Sequence, residues 1–153
     1  MKRAIVLGCF ILMCVINLHA QMTKEGLQQM YISYLMEQGY QASVDSDGDI
    51  KFKAEGRTFF IIVYDDDLQF FSVLFPNFWE IESLAEKEKV FEVANYLNRS
   101  IKVVKTYINP REDNVSIGVE IFLNKPEDFK VNFNRIVDLL MSTVREFRDR
   151  MSE

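Results

Sequence analysis

Thiol and imidazole groups are nearly absent from this chain, and what few there are sit at one end. Two cysteines and one histidine are all it has, and Cys9, Cys14 and His19 fall within the first twenty residues. From residue 21 onward there is no thiol nucleophile, no imidazole base, no disulfide and no Cys/His metal site. Positive charge is also short. Lys and Arg number 18 against 23 Asp and Glu, a formal charge of −5. An acidic domain gains nothing from counterion release on a phosphate backbone, so nucleic acid is excluded as a partner. No Lys/Arg run exists to hold the chain on an anionic membrane. Nor is there an internal repeat, a low-complexity tract or a linker.

The first twenty residues have the layout of a secretory signal peptide. Lys2 and Arg3 make a charged start, Ala4 to Ile16 is an unbroken apolar run of thirteen, and Ala20 stands before Gln21. The run is shorter than the roughly 20 apolar residues that a membrane span needs. It also lacks the polar interruptions of an amphipathic helix. A lipoprotein reading fits less well, because Cys9 comes too early and Cys14 follows Met13. Cleavage after Ala20 is expected, leaving residues 21–153 as one domain, exported to the periplasm or beyond and with no stable membrane anchor. Loss of Lys2 and Arg3 moves the formal charge from −5 to −7. A chain of 133 residues can bury roughly two thirds of its unfolded surface and needs no covalent staples.

What the chain has in plenty is aromatic bulk, with 13 Phe and 6 Tyr. Thr23 to Gln38 reads as a helix, its stripe being Leu27, Met30, Tyr31, Tyr34 and Leu35, with Thr23 as N-cap and Gly39 as stop. Tyr40 to Val44 suggests a short strand, and Asp45 to Asp49 a turn with Gly48 supplying positive φ. Ile50, Phe52 and Ala54 alternate with Lys51 and Lys53 in a half-buried strand. Thr58–Tyr64 and Leu68–Phe75 are apolar on both faces and belong in the middle of a sheet; Pro76-Asn77 is expected to stop the second. Ser83 to Asn98 reads as a helix opened by a Ser83/Glu86 capping box, with Leu84, Phe91, Ala94 and Leu97 on its inner face. Ile101–Ile108 and Val115–Leu123 are the remaining strands. Ser116, Gly118 and Glu120 mark the outer side of the last one as solvated or at an edge. A closing helix starts near Pro126, with Asn124 and Glu127 as cap candidates. Its core stripe is Phe129, Phe133, Ile136, Val137, Leu140, Val144 and Phe147. The sum is an α+β domain: a mostly antiparallel sheet of five to six strands with three helices, in the order α-β-β-β(-β)-α-β-β-α.

Three places invite a chemical reading. Asp45, Asp47 and Asp49 and the run Asp65-Asp66-Asp67 fall at one end of a meander, and clustered carboxylates are what Ca²⁺ takes. The spacing is not that of an EF-hand, since the glycine stands at the fourth position, and aspartate is an ordinary turn residue. No metal and no cofactor are expected. Paired carboxylates such as Glu80 and Glu82, or Glu120 with an aspartate, could run acid–base hydrolysis only if a cleft held them at a set separation. No spacing requires one, and the chain reads as a non-enzyme with no catalytic residues. Phe75, Phe78, Trp79 and Ile81 crowd one irregular connector. They form either a partner-binding patch, since Trp and Phe anchor interfaces, or a loop folded over the core. The two-sided strands, likewise, are covered by the chain's own helices or by a second copy in a homodimer.

The stretch GYQASVDSDGDIKFKAEGRTFFIIVYDDDLQFFSVLF, the helix ending FEVANYLNRSIKVVKTYI, then DNVSIGVEIFL and a closing amphipathic helix together resemble the YbjN-like family. The most telling words are Asp47-Gly48-Asp49-Ile50 before a strand and Ala94-Asn95-Tyr96-Leu97-Asn98 at a helix end. The resemblance spans nearly all of residues 21–153. It implies the fold of type III secretion chaperones and a domain, often paired, that binds polypeptide without chemistry. Those chaperones are cytoplasmic, and the chain departs from them in its export signal. The expected function is an exported protein-binding or chaperone-like module, acting on a polypeptide or on itself. The alternative is an envelope protein holding a small apolar ligand between sheet and helices.

Overall fold

Capping chemistry sets the first helix. Thr23 is extended and its hydroxyl accepts from the Gly26 N–H at 3.1 Å, which starts α1 (Lys24–Glu37). Gly39, at φ +84°, carries the chain out of it. The computed structural model describes residues 22–153; the expected leader, with Cys9, Cys14 and His19, lies outside the described residues. Strands β1 (Ala42–Val44), β2 (Ile50–Ala54), β3 (Arg57–Ile62) and β4 (Phe70–Glu80) follow, then α2 (Leu84–Ser100), β5 (Val104–Ile108), β6 (Asn114–Phe122), a 3₁₀ turn at Pro126–Asp128 and α3 (Phe129–Ser152). The six strands form one antiparallel sheet in the order β1-β2-β3-β4-β6-β5. This is the expected α+β architecture, with its elements in the expected order.

Register sorts the side chains. Ile50 pairs with Ile61, Ile61 with Val73, Val73 with Val119 and Val119 with Val104. All five are buried, and this row lies beneath the helices. α1 covers β1 and β2, α3 covers β4 and β6, and α2 lies along β5. The stripe expected for α3 is buried throughout, with Met141 and Thr143 beside it. Aromatic edges knit it to the sheet. Phe133 meets Tyr34, Tyr40 and Phe52 at centroid distances of 5.5, 5.7 and 5.5 Å. Phe129 meets Tyr31 at 4.8 Å and Phe71 at 5.5 Å. Such pairs add about 0.5–1.5 kcal/mol each beyond area burial.

Four expectations are corrected. β4 does not stop at Pro76-Asn77; it runs on to Glu80 through a bulge. Pairing resumes at Trp79↔Val115 after Phe75↔Ile117, and Asn77 takes φ +51° while its N–H donates to Ser116 Oγ at 3.2 Å. A bulge is where a strand tolerates proline. β6 is not an edge: it lies between β4 and β5, and Ser116 and Gly118 are buried between neighbouring strands. The inner face of α2 is Val90, Val93, Ala94 and Leu97, while Leu84 and Phe91 face solvent. Finally, neither Asn124 nor Glu127 caps α3; the 3₁₀ turn leads into it without a side-chain bond.

The sheet has two edges, β1 and β5, and at β5 α2 covers part of the edge. The Asn98 side chain accepts from the Thr106 N–H at 2.7 Å and donates to the Thr106 carbonyl at 3.0 Å. It thereby occupies both backbone groups that Thr106, in the middle of this edge strand, would offer to another chain.

Burial has a consequence in alkali. It pushes the Tyr31 phenol above its ordinary value of 10.0. In the unfolded chain Tyr31 ionises near 10, while in the folded chain it stays neutral. The stabilisation is therefore complete below pH 10 and drains away as pH rises beyond it. Tyr31→Phe is expected to move the alkaline unfolding midpoint, followed by far-UV circular dichroism, to higher pH. An unchanged midpoint would place the linkage elsewhere.

Candidate interaction surface

Because all three helices pack on one face of the sheet, its other face has no cover among the described residues. Alternation decides what stands there. Lys51 pairs with Phe60, Phe60 with Leu74, Leu74 with Gly118 and Gly118 with Lys105. One step along the strands, Ile62 pairs with Ser72 and Ser72 with Glu120; beyond them Phe70 pairs with Phe122. The Phe70 ring lies 5.1 Å from Tyr64 and 5.2 Å from Phe122. The centre of this face is thus Phe60, Ile62, Leu74 and Phe70, all half-buried by one another. Phe122 at its end is 81 % exposed. Its flanks are charged: Lys51 and Lys53 on β2, and on the opposite side Lys105, 3.2 Å from Glu120. Gly118 lies in the middle row as a shallow dip, where an added Cβ would stand 3.3 Å from the Val73 carbonyl.

The connector residues singled out from sequence lie elsewhere. Phe75 and Phe78 are 8 % and 9 % exposed and face the core, while Trp79 and Ile81 are half-buried against it. Phe147 packs on Phe78 at 5.0 Å and on Trp79 at 5.5 Å. The Trp79 indole N–H donates to Glu86 Oε1 at 2.8 Å. Glu86 also receives the Glu82 N–H at 2.7 Å, and its own N–H donates to Ser83 Oγ at 3.1 Å, which realises the expected cap. The segment is strand and not irregular loop, and its apolar side chains are engaged in packing.

The carboxylates of the first acidic turn serve the backbone. Asp49 Oδ1 accepts from the Val63 N–H at 2.8 Å. Asp45 Oδ1 accepts from the N–H groups of Asp47 and Asp49, both at 2.9 Å. Among the described residues no three His, Cys, Asp or Glu side chains converge as a metal-binding group. Glu80 and Glu82 are exposed and Glu120 is engaged with Lys105.

A second concavity lies on the helix side. A groove of about 640 Å³ opens beside α3. Ile121, Ile136, Leu139 and Val103 form its apolar wall, and Lys102, Arg135 and Arg145 stand around it. No sequence pattern points to it, since these residues come from separate parts of the chain.

Among the described residues, no helix is long and apolar enough to cross a membrane. The YbjN family model, described as "Putative bacterial sensory transduction regulator", matches residues 29–153. No curated protein matches the chain. Among solved structures, an uncharacterized protein from Methanothermobacter thermautotrophicus superposes with a TM-score of 0.53 at 13 % identity, covering 82 % of this chain and 99 % of that one. At that identity the likeness concerns the fold alone.

Proposed function

This chain belongs to the YbjN family, and from that premise we propose that it is a non-enzymatic polypeptide-binding module whose working surface is the bare face of its sheet. One observation supports the reading above the others. Phe60, Ile62, Leu74, Phe70 and Phe122 form a contiguous apolar strip that no helix covers among the described residues. A soluble chain rarely leaves such a strip open unless something docks on it. The strip is flat, flanked by charge and built on rigid strands, so it suits an extended or helical apolar segment lying across it. A second copy of the chain is one such polypeptide, and the self-complementary geometry of a two-fold pair would cover both strips at once. The export layout of residues 1–20 supports a role in the bacterial envelope or beyond it.

The test pairs two measurements on one variant. Phe60→Asp with Leu74→Asp places two carboxylates at the centre of the strip, on side chains that face away from the core. Sedimentation velocity at micromolar concentration and fluorescence anisotropy with a reduced, alkylated, permanently unfolded protein are then run on both forms. The wild type is expected to self-associate or to bind the unfolded chain, and the variant to do so at least about tenfold more weakly with an unchanged circular dichroism spectrum. A wild type that stays monomeric and ignores the unfolded chain overturns the proposal.

A further inference from the structure

We infer that the groove beside α3 is a binding site for a single-chain amphiphile with an anionic headgroup, separate from the bare face of the sheet. The first ground is shape. At about 640 Å³ the groove falls within the roughly 300–1,000 Å³ of small-molecule sites. Ile121, Ile136 and Leu139 give it a continuous apolar wall between β6 and α3, the surface an alkyl chain would lie on.

The second ground is charge. The chain carries a formal −5, yet Lys102, Arg135 and Arg145 gather around this groove with one carboxylate, Asp138. Among the described residues none of the three cations takes part in an ion pair. Five described cations do form such pairs, Arg150 on Glu146 and Lys105 on Glu120 among them, so these three stand with their charge available to a ligand. Unpaired guanidinium groups beside an apolar wall suit a carboxylate or phosphate joined to a hydrocarbon. Asn132 and Ser142, on the same side of α3, add polar contacts.

The third ground is strain. Val103 takes φ +61° and is 56 % exposed at this groove. A β-branched residue in the left-handed region is a genuine outlier, and glycine would make the same turn without cost. Such strain persists where a side chain is needed in place. Here it adds an isopropyl group to the apolar wall.

The experiment is isothermal titration of the protein with decanoate, decyl phosphate and the uncharged decyl maltoside, each below its critical micelle concentration. Either anion is expected to bind one per chain, at least about tenfold more tightly than the maltoside; the tighter of the two identifies a carboxylate or a phosphate headgroup. Arg135→Glu with Arg145→Glu, both on the exposed side of α3, should weaken the anions by about tenfold or more. Val103→Gly should raise the melting temperature while lowering affinity. Phe60→Asp with Leu74→Asp should leave amphiphile binding intact, so this inference and the polypeptide-binding proposal fail independently. Equal binding of the maltoside, indifference to charge reversal, or loss only with the Phe60/Leu74 variant would each overturn the inference.

Discussion

Phe133→Ala should destabilise the domain by about 3–5 kcal/mol, the range for removing a large aromatic from a packed core. The ring is fully buried and touches Tyr34 of α1, Tyr40 in the following turn and Phe52 of β2. It is the point at which the first helix, the first long strand and the last helix share one contact. The neighbours come from three elements that cannot all move inward, so the cavity will not collapse. A typical domain holds only about 5–15 kcal/mol in total, so the variant should lie near its unfolding transition at 37 °C. Urea denaturation followed by circular dichroism measures the loss. A change below about 1 kcal/mol would mean that the aromatic cluster is not the centre of the core.

The companion result is at the far end of the same helix. Phe147→Ala should cost a similar amount, about 3–5 kcal/mol, and it has its own optical reporter. Phe147 is fully buried and packs edge-on to Phe78 and Trp79. Trp79 is the only tryptophan in the chain. Its emission should therefore shift to the red in Phe147→Ala while staying fixed in Phe133→Ala. The two positions are fourteen residues apart, about 21 Å along a helix, so their costs should add within about 0.5 kcal/mol. Strong non-additivity would show that one substitution already loosens the whole of α3. An unmoved emission in Phe147→Ala would place the indole's environment under the control of Glu86 instead.

How much of this was visible beforehand depends on the range of the cause. Thr23 and Ser83 were read as caps, and Gly48 as a positive-φ turn, because each needs partners only a few residues away. The α3 stripe was complete because an amphipathic period carries its own signal. Where the deciding contact was distant, the reading failed. β4 passes through Pro76-Asn77 because Ser116, thirty-nine residues on, receives the Asn77 N–H. Ser116 and Gly118 suggested a wet surface, yet their strand neighbours bury them. Asn98 was picked out as part of a helix-ending word, but its role in closing the edge at Thr106 depends on the chain turning back. The candidate site divided in the same way. The two-sided strands were legible, and they supply the bare strip. For Phe75 and Phe78 the sequence left patch and core cover both open, and they pack in the core; the groove joins Lys102, Ile121 and Arg135 only once the fold is made.

The division of labour among the helices has a consequence for synthesis. The two strands at the heart of the sheet, β4 and β6, take their cover from α3, and α3 follows every strand in the chain. A nascent chain leaving the ribosome therefore shows hydrocarbon on both sides of its central strands until this helix has emerged. Folding of the sheet must wait for α3 to be translated, and a holding factor during elongation would meet this protein as an incomplete, sticky ribbon.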